Sequence, residues 1–396
     1  MGNFIYPNEA TIQWDLLIVI YPYITGLVAG AFIVSSLYHV FGLKQFKPIA
    51  RFSLVTALAF LLVAPLPLTI HLGHPERALE MFLRPNFTSA MSGFGFIWMI
   101  YLLVMLGEIW LVFREDIVHY AVTSQGLKKK IYSVLALGVY EISEKTRATD
   151  HKLIKILAFV GVPIACGLHG YVGFIFGAIK ANAWWSTPLM PIIFLVSAIV
   201  SGIALLIVLW VLVSKIRGIV VDREVVHSMA LWLGGFLTLA VVIEGLEILS
   251  RLYENETSWD IIRQLITQQI DVSYLGIQFG FGMLLPLVIL ASTVMAKMTP
   301  RLRLTLQFFA GFAILIGVFA MRWNVVIGGQ LVSKSERGFS TFVPPLLGPD
   351  GILSAAIIMA LPFVLFAVIA YFIPPWDKRK PLAEQRILDY QKASLG

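Results

Sequence analysis

His71-Leu-Gly-His-Pro-Glu-Arg77 stands between two apolar stretches, and Leu83-Arg-Pro-Asn86 follows shortly after. Imidazoles, guanidinium groups and carboxylates in such a segment can pass protons near neutral pH and hold carbonyl or anionic oxygens. At the edge of an apolar span an ionisable side chain is expensive unless it is used. More such groups lie within or beside other apolar stretches: Asp15, Tyr21, Tyr23, His169, Glu244, Glu247, Gln278 and Arg322. These gather toward the same end of their stretches as His71, whereas Glu108 and Gln307 gather toward the opposite end. Each also has a plain structural reading. Asp15 can cap a helix. His169 can bond a neighbouring helix, Glu244 and Glu247 can form a packing pair, and Arg77 and Arg84 can be loop charges. Tyr21, Tyr23, Trp184 and Trp185 can form an aromatic belt.

The residue types narrow the chemistry. A bis-histidine haem needs two imidazoles at one depth on facing helices, and His169 has no histidine at its own level. The single cysteine, Cys166, cannot hold an iron–sulfur cluster or a CxxCH haem attachment, so such centres would belong to another chain. No metal ligand set, P-loop, HExxH or Rossmann fingerprint is present. A quinone fits these residues better. Its two carbonyl oxygens need hydrogen-bond partners, its redox chemistry needs two exchangeable protons, and its tail needs an apolar entry.

The elements that must position these groups are membrane helices. Hydrophobic residues make up 58% of the 396 and charged residues only 13%, with a mean hydropathy of +0.84. Apolar stretches long enough to span a bilayer run near 16–41, 50–72, 93–113, 153–177, 190–214, 226–250, 273–296, 302–325 and 351–373. The pattern predicts an all-α integral membrane protein of about nine spans, two groups of four plus a C-terminal helix. The corresponding divisions are 1–180, 181–330 and 331–396. The first span lacks a basic leader and cleavage site, so it is expected to be retained. Most of the 30 lysines and arginines fall in loops on one side, among them Lys44, Lys128, Lys215, Arg301 and Lys378. The positive-inside rule therefore places the N-terminus and His71 outside and the C-terminus in the cytoplasm. These basic loops account for the charge of +7 without a nucleic-acid partner. Gly26 with Gly30 and Ala198 with Gly202 place small residues four apart in the first and fifth spans, a close-packing pattern. Ile131, Leu135, Val139 and Ile142 predict an amphipathic helix over 127–145 lying on the inner surface. Asn86-Phe-Thr88 and Asn255-Glu-Thr257 match a glycosylation sequon and are given no role.

Trp14-Asp…Tyr21-Pro-Tyr23 with Gly26 and Gly30, then Leu72-Gly-His-Pro-Glu-Arg77, Leu83-Arg-Pro-Asn-Phe-Thr-Ser89 and Met91-Ser92, resemble the motifs of the NrfD/PsrC family. Gly170-Tyr-Val-Gly173, Trp184-Trp185 and the Leu189–Gly202 stretch extend the likeness over about the first 200 residues. His71 stands where the family motif has an acidic residue, and His74 where it has arginine. The resemblance implies two four-helix bundles in a prokaryotic cytoplasmic membrane and a menaquinone- or ubiquinone-type quinone site near the outer face. It implies no haem or iron–sulfur cluster in this chain. It also implies a ferredoxin-like iron–sulfur partner docked outside, with a molybdopterin or multihaem cytochrome subunit beyond.

On this basis His169, His71 and Asp15 are expected as hydrogen-bond and proton partners. Tyr23, His74 and Arg77 are expected around the headgroup, and Glu244 and Glu247 in proton transfer, with proton translocation left open. The rivals are a transporter or proton channel, against which the absence of broken helices counts, and a passive membrane anchor.

Overall fold

The computed structural model describes residues 4–9, 11–86, 88–254 and 257–376. The tail beyond residue 376, together with Phe87, Asn255 and Glu256 of the two sequon matches, lies outside the described residues. Among the described residues the chain is helical apart from turns and two isolated antiparallel bridges, Phe4 with Arg337 and Val332 with Phe339. Nine helices among them are long and apolar enough to cross a membrane, and the chain is a multi-pass membrane protein.

The helices follow in order. They are α1 (Leu16–His39), α2 (Lys47–Val63), α3 (Leu66–His71), α4 (Glu80–Leu83), α5 (Ala90–Thr123), α6 (Gly126–Leu135) and α7 (Glu144–Gly177). Then come α8 (Met190–Ile216), α9 (Arg223–Glu254), α10 (Trp259–Gln264), α11 (Leu285–Met295), α12 (Pro300–Trp323), α13 (Gly329–Leu331) and α14 (Ile352–Phe372). Side-chain caps start several of them. Asp15 accepts from the Leu17 N–H at 2.7 Å, Ser143 from Thr146 and Thr299 from Leu302.

Helices α1, α2, α5 and α7 form a ring of neighbours in that order, and α8, α9, α11 and α12 form a second ring. The rings meet along α1 and α8, and α14 lies against α2. Almost all of α1 and α8 is buried, which suits two spans shielded from lipid by their neighbours. The small-residue pattern marks their crossing: a Cβ on Gly30 would strike the backbone of Ala198 and Gly202, and one on Gly202 the backbone of Gly30.

Three expectations need correction. First, the third and fourth spans continue well past their apolar cores, α5 and α7 having 34 residues each. Their polar extensions are held by Arg114–Asp150 (2.7 Å), Arg147–Glu115 (2.6 Å) and an Arg51–Asp116 pair from α2. Second, the amphipathic helix stops at Leu135, because Leu137 and Gly138 take positive φ (50° and 76°) and Val139 and Ile142 lie beyond it. Tyr132 ties it to the end of α14 by donating to the Phe372 carbonyl at 2.6 Å.

Third, broken helices are present. Pro65 and Pro67 separate α2 from α3, and wide π-type turns occupy Val272–Leu284 and Asn324–Gly328. The second turn explains the paired tryptophans. Trp184 and Trp185 are buried, not belt anchors, and their indole N–H groups donate to the carbonyls of Asn324 (3.0 Å) and Val325 (2.6 Å). Such widened turns free carbonyls that lipid cannot satisfy.

Candidate functional site

Beside the break between α2 and α3 lies a cavity of about 700 Å³, at the end of the first ring that carries His71. Its walls come from Trp14 and the start of α1 (Ile18, Tyr21), from α3, from the 72–86 segment and Ser89, from the start of α5 and from the last turn of α7. Most of that lining is apolar or aromatic, including Leu68, Phe82, Phe94, Trp98 and Phe176. A few polar groups interrupt it. His71, His74, Arg77, Arg84 and Asn86 stand around the mouth, and Tyr21 and Ser92 lie deeper. The Tyr21 hydroxyl and the Ser92 hydroxyl are buried without a hydrogen-bond partner among the described residues, which is rare unless a further molecule completes the site.

His71 is the best-supported of the mouth groups. Its Nδ1 lies 3.1 Å from Asp15 Oδ2, and Asp15 is itself held by the Leu17 N–H. An imidazole that donates Nδ1–H to a carboxylate is fixed in orientation and leaves Nε2 free for another partner. Asp350, from the turn before α14, completes a triad in which one ligand-type atom of each residue lies within 4.8 Å of the others. Burial opposes the charge on Asp15, but the hydrogen bonds from His71 and Leu17 outweigh it, so its carboxyl sits below the usual value. The Asp350 carboxyl is pushed up by burial and by the neighbouring Asp15 charge. Asp15 therefore supports the folded rim above its unfolded value near 3.8, and that support is lost as acid protonates it.

The structure divides the remaining expected residues between two places. His74 is exposed at the mouth with its Nδ1 3.0 Å from Glu76, and Arg77 lines the same mouth. Tyr23 does not face the cavity; its hydroxyl donates to the Leu315 carbonyl of α12 at 3.1 Å. His169 is also away from it, fully buried where the two rings meet. There its Nε2 lies 3.0 Å from Arg322 Nη2, its ring stacks on Phe194, and Gly26 leaves it room. Arg322, buried as well, also donates to Ser197 Oγ at 2.7 Å and lies over the Phe194 ring.

Glu244 and Glu247 separate too. Glu247 pairs with Arg251 at 3.1 Å. Glu244 accepts from Gln278 Nε2 at 2.7 Å, and Gln278 accepts from Asn324 Nδ2 at 2.8 Å. Asn324 in turn accepts from Ser273 at 2.6 Å. This buried chain and the Arg322–His169 link escape sequence reasoning, because its members come from separate helices far apart in the chain. Arg322 itself is visible as a cation closing an apolar stretch, but its partner is not.

An apolar cavity ringed by a few acid–base groups at one end of a polytopic helical bundle has the form in which small-molecule sites are usually built. Residues 7–334 match the family model described as polysulphide reductase, NrfD, and the chain belongs to that family. It is 30% identical to a selenate reductase subunit of Mesobacillus selenatarsenatis, over 93% of this chain and 87% of that protein. It is 29% identical to a putative dimethyl sulfoxide reductase membrane subunit of Halobacterium salinarum, over 72% of this chain and 63% of that one. With the Hdr-like menaquinol oxidoreductase integral membrane subunit of Archaeoglobus fulgidus it shares 24% identity, over 81% and 71%.

Proposed function

We propose that this chain is the quinone-reactive membrane subunit of a multi-subunit oxidoreductase, with the quinone headgroup in the cavity beneath His71. The observation that carries this reading is the composition of that cavity. It is large enough for a prenylated ring, walled by aromatic and aliphatic side chains, and holds two orphaned buried hydroxyls, Tyr21 and Ser92, beside an Asp-buttressed imidazole. Selenate and dimethyl sulfoxide reductase subunits among the relatives, and a menaquinol oxidoreductase subunit, support the class.

The residues divide the work. His71 Nε2 faces one carbonyl position, and the Tyr21 and Ser92 hydroxyls serve the other from deeper in the cavity. Asp15 holds the His71 ring and stabilises the imidazolium formed when it takes a proton. Arg77 and Arg84 shape the mouth, and the apolar lining excludes water and receives the tail. A bound quinone supplies the two-electron, two-proton couple. An iron–sulfur partner on the outer face exchanges the electrons, with a catalytic subunit beyond it, and His71 stands on the same outer side as that partner. Glu244 and the Gln278–Asn324–Ser273 chain give the second ring a route for protons, and Arg322 with His169 joins that ring to the first.

Purification of the intact assembly in mild detergent tests this directly. Mass spectrometry should find about one quinone per copy of this chain, together with an iron–sulfur subunit. An intact assembly that contains the partner and no quinone would refute the reading.

A further inference from the structure

At the end of the first ring opposite His71, a recess of about 420 Å³ opens where three elements meet. Helix α1 ends there at His39, and Gly42 turns the chain with a φ of 69°. Lys44 follows in a short 3-10 turn, and Lys47 begins α2. Helix α7 adds His151 and the buried Ile154. The recess stands at the membrane boundary, since one apolar span stops at His39 and the next begins at Lys44.

No carboxylate lines it. Nearby bases at this end of the bundle are matched: Arg51 pairs with Asp116, Arg114 with Asp150 and Arg147 with Glu115. Lys44, Lys47 and His151 have no ion-pair partner among the described residues. His39 borders the recess, and its Nε2 is buried without a hydrogen-bond partner, which points to a missing ligand. The titratable groups that bear on His39 are His151 and Arg51, both bases. Two ammonium groups and two imidazoles, with the Tyr38 phenol beside them, thus surround a space that suits several anionic oxygens. It offers nothing to a cation.

The surroundings select the anion. Phe41, next to Gly42 in the chain, and Leu153 and Ile156, on either side of Ile154, are exposed apolar side chains. A phospholipid answers both features: its phosphate meets the bases and its chains cover the apolar surface. A headgroup that carries an ammonium would bring a cation to a place without a carboxylate, so an anionic headgroup is preferred. We propose that this recess binds one anionic phospholipid, whose phosphate is held by His39, Lys44, Lys47 and His151 and ties the end of α1 to α2 and α7. The site is independent of the quinone reading.

Native mass spectrometry of the purified assembly tests it, counting the lipid that stays on this chain after its release from the complex. The assembly is first washed free of weakly held lipid, then titrated with phosphatidylglycerol, phosphatidylcholine or inorganic phosphate. One phosphatidylglycerol per chain should bind about tenfold or more tighter than phosphatidylcholine, and inorganic phosphate should not displace it. Lys44→Gln with Lys47→Gln should weaken phosphatidylglycerol about 30-fold and leave phosphatidylcholine unchanged. Lys129→Gln with Lys130→Gln removes the same charge from exposed positions of α6 at the same end, and should change binding less than about threefold. Lys44 and Lys47 are exposed as well, so both double variants should assemble; the wild-type preference is a test without either. Equal affinity for the two lipids, or equal losses in the two double variants, overturns the proposal and leaves only diffuse surface charge. Displacement of the lipid by inorganic phosphate would make this a free-phosphate site and overturn the lipid assignment.

Discussion

Replacing His71 by phenylalanine is expected to lower quinone-linked turnover of the assembled complex about 100-fold while the subunit still folds and assembles. The magnitude is that of a lost general acid–base group that also positions the reacting atom. His71 lines the cavity, is held by Asp15 at 3.1 Å and has a second ring nitrogen to offer. The partly exposed ring closes the end of α3 and is not a core element, so phenylalanine keeps its bulk. His74 is the internal control. It lines the same mouth, but its side chain is 65% exposed and its nearest partner is the equally exposed Glu76. His74→Phe should change turnover less than about threefold, in the range of a solvated loop contact. Quinol-dependent reduction of an artificial acceptor by each variant, normalised to the amount of assembled complex, reads both. Equal losses in the two variants would mean that the mouth as a whole matters and His71 has no special part.

The largest structural effect is expected at the crossing of α1 and α8. Gly202→Leu places a branched side chain where even a Cβ meets the Gly30 backbone, and no flexible side chain is available to give way. Backbone against backbone can relax only by separating the helices, and α1 and α8 join the two rings along their length. The cost should exceed ~3 kcal/mol, and the chain should fail to accumulate in the membrane. Gly235→Leu, on α9 where a Cβ meets nothing within 4 Å, should be tolerated. Comparing membrane-extracted yield and thermal midpoint of the two variants checks the argument. Normal yield of Gly202→Leu would show that the crossing is wider than described.

This same crossing is legible in the sequence, since four-residue spacing of Gly26, Gly30, Ala198 and Gly202 is the signal of close helix approach. The nine spans are legible for a similar reason: lipid admits few residue types across a stretch of about 20 residues. Length is less legible. Helices α5 and α7 outrun their apolar cores because ion pairs such as Arg114–Asp150 stabilise polar helix beyond the bilayer, and hydropathy does not register that.

The candidate site is partly legible. The 71–92 segment does border the cavity, and Asp15 does meet His71, each a consequence of polar groups set at the ends of adjoining spans. Depth alone does not say which way a side chain faces. His169 and Tyr23 lie at suitable depths, yet both face the junction between the rings, toward Arg322 and Leu315. Asp350 is invisible in the sequence for the opposite reason. It sits in a loop far along the chain from His71 and reaches it only through the packing of α14.

Photolabelling of the purified assembly with an azidoquinone, followed by peptide mapping, tests the central claim most directly. Adducts in the 14–21, 68–98 and 175–176 stretches, suppressed by excess unlabelled quinone, are the expected result. Specific adducts confined to the second ring, around Glu244 and Gln278, would contradict it and move the quinone away from His71.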